Sequence, residues 1–369
     1  MTERKSYDWI VLYWMPYDNN LSDEFEAIIR MIGAGVQSEK LLVVVEYDLF
    51  AQEKLHRTII TKEKLPNYPR GVPLDFTDSA SEEAFSEYLD WVATNFSAKK
   101  WSIVILGHSG NLDEICPDAH VQPNAHEKVA KDDMESWKWM NIQTMSRVMM
   151  QFSEKIGQAL ELLFLQNCCK GTIEALYTFR NAAKFTLSSQ TPMGYPNSYY
   201  TQVFEFLGDH LAITGRILAE KMMEADAPEM YNGYTLSKNS AISQLPSKLN
   251  PLIETIISEN LEKIALQDVV DKPWSHEYFD DQLADVTAFF NWITGQIGIE
   301  RQPLDTFLDF LKNDLIVKFQ RSPKPIDPNS THYEGLSLNV PLTKDSLEKY
   351  GYMDFFSDNK LLEMFRALL

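Results

Sequence analysis

Long apolar runs are missing from this sequence. No stretch approaches the roughly 18 apolar residues of a membrane span. The run from Trp9 to Met15 is too short for the core of a secretory leader, and Asp8 lies just ahead of it. The expectation is a cytoplasmic chain with no membrane partner, unless a leader was trimmed from it. Basic charge is scarce too: 34 Lys and Arg face 53 Asp and Glu, a net charge of −19. Nucleic acids and anionic membranes need basic patches, so this balance argues against both. Cysteine is the third shortage, with three in 369 residues. That count suits a reducing compartment rather than a disulfide framework. A chain of this length, 44% hydrophobic, buries a sizeable core without staples.

What is present is alternation of strand and helix. WIVLYWM (9–15), KLLVVVEYDL (40–49) and KLHRTIITK (54–62) read as strands, dense in β-branched and aromatic residues. After the first comes YDNNLSDE, where Asn20 or Ser22 is placed to cap a helix over 24–32. SEEAFSEYLDWVATNF (81–96) has helical period and leads into WSIVILGHSG (101–110), another buried strand. Residues 111–140 read as a polar, irregular loop. A helix over 141–152, the strand ELLFLQN (161–167), a helix from about Gly171 and the strand KFTLSSQ (184–190) follow. This order predicts an α/β fold with a mostly parallel sheet flanked by helices. It spans residues 8–240 as the first domain. Residues 241–369 read as a mainly helical C-terminal subdomain, with long helices over SKLNPLIETIISENLEKIAL and FLDFLKNDLIVKF and one strand in EGLSLNVPL.

Two of these strands end on reactive side chains, His108 and the pair Cys168–Cys169. Ligands of open α/β sheets bind beyond the carboxyl ends of the strands. A thiol and an imidazole meeting there make a cysteine hydrolase: thiolate attack on a carbonyl, with the imidazole supplying a proton to the leaving amine. Backbone N–H groups near Gly110 and at Cys168 or Cys169 are placed to hold the oxyanion. Adjacent cysteines reach disulfide geometry only with strain, so the pair is not a bridge. Which of the two reacts is open on these grounds.

The block Leu165-Gln166-Asn167-Cys168-Cys169-Lys170-Gly171-Thr172-Ile173-Glu174 and the block Leu106-Gly107-His108-Ser109-Gly110 resemble those of the clostripain-type cysteine peptidases, relatives of caspases, legumain and gingipains. Asp18-Asn19-Asn20-Leu21, the approach FSEYLDWVATNFSAKKWSIVILGH, TLSSQ (186–190) and GLSLNVP are similar to further blocks in the same order. The resemblance implies a caspase-like fold and an endopeptidase acting on proteins or peptides. The family spacing Cys-x-x-Gly ends here on Gly171 and assigns Cys168 as nucleophile with His108 as its partner. The caspase spacing would choose Cys169 instead. The resemblance also implies oxyanion donors in the backbone of Ser109 and Gly110, and substrate contacts from Gln166, Ser189 and Gln190. It further implies a proenzyme cut between the two blocks, by itself or by an activating protease, with Lys128, Lys131 and Lys138 as candidate sites. No cofactor is required by the sequence. Some family members use calcium, so calcium is admitted.

Two letters depart from the family pattern. Gln166 stands where the family has an Asp that selects Arg or Lys, and Ser109 stands where it has Gly. The first leaves the residue before the cut open, since an amide does not neutralise a buried guanidinium. Together they motivate the alternative of a catalytically degenerate member that binds peptides or scaffolds a partner. Cys116, His120 and His126 have zinc-ligand chemistry but irregular spacing and no fourth ligand, so a solvated loop is expected.

Overall fold

Strand β1 (Lys5–Tyr17) is buried along nearly its whole length. Its Ile10, Leu12 and Trp14 enter one apolar cluster, and its Trp9, Val11 and Tyr13 enter another. Side chains alternate along a strand, so a strand apolar on both faces needs a helical layer on each. The computed structural model describes residues 4–63, 71–120 and 129–369.

The remaining strands are β2 (Leu41–Leu49), β3 (His56–Ile60), β4 (Val72–Pro73), β5 (Phe96–Leu106), β6 (Glu114–Asp118), β7 (Lys138–Asn141) and β8 (Leu160–Gln166). After them come β9 (Ala183–Ser188), β10 (Gly233–Lys238), β11 (Ser275–Tyr278), β12 (Asp281–Asp285), β13 (Ile316–Arg321) and β14 (Ser337–Asn339). Among the described residues one nine-stranded sheet runs in the order β13-β10-β9-β8-β5-β1-β2-β3-β4. Its centre, from β9 to β2, is parallel. Both ends are antiparallel. The expected mostly parallel α/β sheet is present.

One face carries α1 (Phe25–Gly35), with Phe25 and Ile28 in the cluster that holds Trp9. The other carries α2 (Glu82–Asn95) and α3 (Ile142–Ile156), through Phe85, Tyr88 and Met145. Ser81 and Asn141 cap these two helices, each accepting from an otherwise unpaired first-turn N–H. α4 (Ile173–Thr178) lies with them, while α5 (Tyr200–Asp209) and α6 (Gly215–Ala225) lie with α1.

The C-terminal stretch joins this same arrangement. Leu249, Phe289, Phe307 and Phe365 share a core cluster with β1, α2 and α3. The expected long helix over 307–319 is not formed. The helix Arg301–Phe310 loosens into a π-helical turn at Leu311–Leu315, and the chain then becomes β13, paired with β10. β-branched Ile316 and Val317 with Phe319 favour the strand once an edge is offered. The helix expected from Ser247 stops after Ile257. Residues 111–140 are not one irregular loop either, because β6 and β7 pair within them as a hairpin. Asn19, rather than Asn20 or Ser22, caps the first turn after β1, accepting from the Leu21 N–H at 3.0 Å.

Candidate active site

Register brings the two reactive ends together. β5 and β8 are neighbouring parallel strands, and Leu106 lies opposite Gln166 at the end of the ladder. His108 and Cys168 each follow that last pair by two residues. The Asn167 amide ties the two turns, donating to the carbonyls of Gly107 at 2.8 Å and His108 at 3.3 Å. β1, on the other side of β5, delivers a third residue. Asn20 Oδ1 lies 2.7 Å from His108 Nε2. An amide oxygen accepts, so Nε2 carries the proton and Nδ1 is the open acceptor. Trp137 packs against the ring at 5.4 Å.

His108 and Cys168 both line a cavity of about 240 Å³ with Gln166 at its base and Met134 and Met193 on its walls. Cys168 Sγ accepts from the Met193 N–H at 3.4 Å. Burial pushes its thiol up from the ordinary range; the Met193 N–H, the Tyr278 hydroxyl and the charge of Lys170 oppose this. Burial also pushes His108 down to about 4. At neutral pH the resting pair is therefore an uncharged thiol and an uncharged imidazole.

Cys169 turns away from this cavity. It is buried with a left-handed φ of 54°, and its Sγ lies 3.6 Å from His276 Nε2. Gly171 explains the Cys-x-x-Gly spacing physically. A Cβ there would lie 2.7 Å from the Gln190 nitrogen and 2.8 Å from the Ser189 carbonyl carbon, where the turn crosses the end of β9. The Ser109 side chain does not enter the cavity; its hydroxyl donates to the Cys168 carbonyl.

Several expected contacts fall elsewhere. The Gly110 N–H is given to the Glu114 carbonyl at 3.2 Å, and the Cys169 N–H to Thr191 at 3.3 Å. Neither is left to meet an oxyanion. Ser189 and Gln190 are buried behind the site rather than on the cavity wall. The Ser189 hydroxyl donates to the Thr191 carbonyl, and the Gln190 amide donates to Asp285 and Ser337. Gln190 ties the end of β9 to the C-terminal segment, while the Ser189 bond stays within its own turn. Gln166 does reach the cavity.

Two residues stand out that the sequence reading missed. Lys170 is 1% exposed, and its ammonium donates to the carbonyls of Asn111 at 2.6 Å, Leu112 at 3.2 Å and Gly110 at 3.4 Å. It clamps the turn that follows His108. Tyr278 lines the cavity and donates to the Ser109 carbonyl at 2.8 Å. A Lys directly after two cysteines reads as a surface residue, and only the loop carbonyls folded around it show otherwise.

The zinc set considered from sequence does not assemble among the described residues. Cys116 packs in the apolar core, and His126 lies outside them. Asp18, Asp118 and His120 converge instead, with ligand-type atoms within 4.8 Å of one another. Calcium does not fit this set. It prefers six or more oxygens, and here one donor is an imidazole. The carboxylates are already bonded to the Ala119, Ser79 and His120 N–H groups.

A model of the clostripain family matches residues 13–297. The fold is similar to a secreted C11 cysteine protease from Bacteroides thetaiotaomicron bound to an irreversible peptide inhibitor. That match has 15% identity and a TM-score of 0.67, covering 95% of this chain and 98% of that one. It is equally similar to an inactive zymogen C11 protease from Parabacteroides distasonis, with 15% identity and a TM-score of 0.66 over 97% and 99% of the chains. No curated protein matches the chain. These likenesses give the sheet its caspase-like character. Cytoplasmic location does not fit the secreted description of the Bacteroides protein. Among the described residues, no helix is long and apolar enough to cross a membrane.

Proposed function

The chain belongs to the clostripain family and is a cysteine peptidase, and from that premise we propose that Cys168 is its nucleophile, His108 its acid–base partner and Asn20 the residue that orients the imidazole. The observation that carries this is the convergence of three strand ends, β1, β5 and β8, on one cavity. The starting pair is neutral. As the substrate carbonyl seats, Cys168 Sγ attacks its carbon and the thiol proton passes to the imidazole. The imidazolium gives that proton to the leaving nitrogen as the C–N bond breaks, leaving a thioester. Water, deprotonated by His108, then releases the acid and restores the thiol. The backbone N–H groups of Ser109 and Cys168 are the oxyanion donors, since those of Gly110 and Cys169 are engaged.

Activation by cleavage between β6 and β7 accompanies this reading. Met134 and Trp137, from that connection, reach the cavity and the His108 ring. Lys138 is a poor cut site, because it lies within β7 and pairs with Asp78. Lys131 lies in the connection itself, a site for a separate activating protease, and pairs with exposed Asp23 at 2.6 Å. Lys128 lies outside the described residues. The alternative of a degenerate peptide binder loses its motive at Ser109, whose side chain is buried out of the way. The test is mass spectrometry and peptide hydrolysis on the wild type, Cys168→Ala and Cys169→Ala. Loss of hydrolysis and of self-cleavage in Cys168→Ala, with both kept in Cys169→Ala, is expected. Full activity in Cys168→Ala would sink the assignment.

A further inference from the structure

Resting on Cys168 and His108 as the reacting pair, we propose that this peptidase cuts after an uncharged, apolar side chain of the leucine, methionine or phenylalanine class, not after Arg, Lys or Asp. The cavity beside Cys168 is walled by Leu21, Ile28, Leu106, Met193 and Pro196. Among the described residues on its wall there is no Asp, Glu, Lys or Arg, and burial keeps His108 neutral. At about 240 Å³ it is smaller than the roughly 300–1,000 Å³ of sites for drug-sized ligands. It is scaled to one side chain.

The base of the cavity is chemically committed. Gln166 donates both amide hydrogens, to Asn197 Oδ1 at 2.5 Å and to the Tyr200 hydroxyl at 3.1 Å. Its oxygen accepts from the Tyr199 hydroxyl at 2.7 Å. Gln166 keeps no donor for a carboxylate substrate, and a neutral amide gives no counter-charge to a guanidinium or ammonium. One acid stands behind this layer. Asp226 accepts from Asn197 at 2.7 Å, Tyr234 at 2.7 Å and the Ser198 N–H at 2.9 Å, and it does not reach the cavity. A charged side chain entering here would be buried unpaired, which is strongly unfavourable. An apolar one loses nothing and gains burial.

A second, independent observation agrees. Among the described residues, the β6–β7 connection brings Met134, an apolar thioether, to this cavity. The overall charge of −19 draws basic peptides toward the surface. That affects encounter and leaves the burial step unchanged.

The test uses the full chain and a set of peptide acyloxymethyl ketones that differ only in the residue before the reactive carbon: Leu, Met, Phe, Arg, Lys or Asp. The readout is the rate of covalent labelling of Cys168 by mass spectrometry, with matched fluorogenic peptides read for kcat/KM. Labelling and hydrolysis at least tenfold faster with Leu, Met or Phe are expected. Equal rates across the set, or fastest reaction with Arg, Lys or Asp, would overturn the proposal while leaving the nucleophile in place. Hydrolysis that survives in Cys168→Ala would instead overturn the nucleophile, and the specificity proposal with it. In Gln166→Asp, the ratio of Lys to Leu labelling is expected to rise at least tenfold. An unchanged ratio would remove Gln166 as the determinant.

Discussion

Asn20 is the residue whose role depends most on the fold. It is 88 positions from His108 in sequence, and a single hydrogen bond of 2.7 Å joins them. Asn20→Ala frees the ring to rotate, and misplacing a reacting group by about 1 Å costs on the order of 100-fold. A ten- to hundredfold loss of kcat with an unchanged melting temperature is expected. The pH profile separates orientation from mere support. With His108 at about 4 in the free enzyme, the acid limb of kcat/KM should fall near pH 4. Asn20→Asp sets a carboxylate on Nε2, favours the imidazolium and moves that limb to higher pH. An unmoved limb would deny Asn20 its place. At this scale the sequence disclosed which reactive side chains end neighbouring strands, Cys168 and His108. It did not disclose Asn20, Lys170 or Tyr278, whose partners come from other strands and turns.

Elements were legible where their periodicity was their own. β1, β2, β5 and β8 are buried on both faces, and such runs announce themselves. The misread stretches are those where a neighbour decides. Residues 307–319 carry a helical pattern, yet β10 offers an edge and the second half becomes β13. β6 and β7 are short, separated by a long connection and rich in Pro, Asp and Lys, so neither signals a strand alone. The turn after β8 gives the clearest prediction about elements. In Gly171→Ala the new methyl meets the backbone of Ser189 and Gln190, which cannot swing aside. Overpacking of this kind costs about 1–3 kcal/mol, so thermal denaturation should show a melting temperature lower by several degrees. Activity should fall as well, because β9 and the Cys168 turn move apart together.

For the molecule as a whole, buried titratable groups set opposing pH slopes. Burial holds His276 at about 4, below its ordinary 6.5. The unfolded chain then binds the extra proton between those values, and stability contributed above pH 6.5 is lost as pH falls through 4. Glu174 behaves oppositely. Burial raises it from 4.5 to about 8, so its contribution is complete below 4.5 and lost as pH rises through 8. Differences from wild type isolate each group. The stability of His276→Gln relative to wild type should improve on going from pH 7 to pH 4.5. That of Glu174→Gln should improve on going from pH 4.5 to pH 8.5. Each change should be on the order of 1–3 kcal/mol in denaturant titrations. Differences that stay flat with pH would show that these groups are solvated.

The Met134 side chain at the cavity alters what a Michaelis constant means for this enzyme. A tethered side chain competes at a fixed effective concentration, millimolar for a short flexible link. Where Met134 swings from the wall into the cavity, the apparent affinity of a peptide scales with the fraction of molecules in which that site is vacant. Met134→Gly, or a chain nicked between β6 and β7, should therefore show a lower KM for small peptides with kcat little changed. Pre-steady-state traces of the intact chain should show a lag that the nicked chain lacks. Equal KM values and no lag would mean that Met134 is part of the wall and never a competitor.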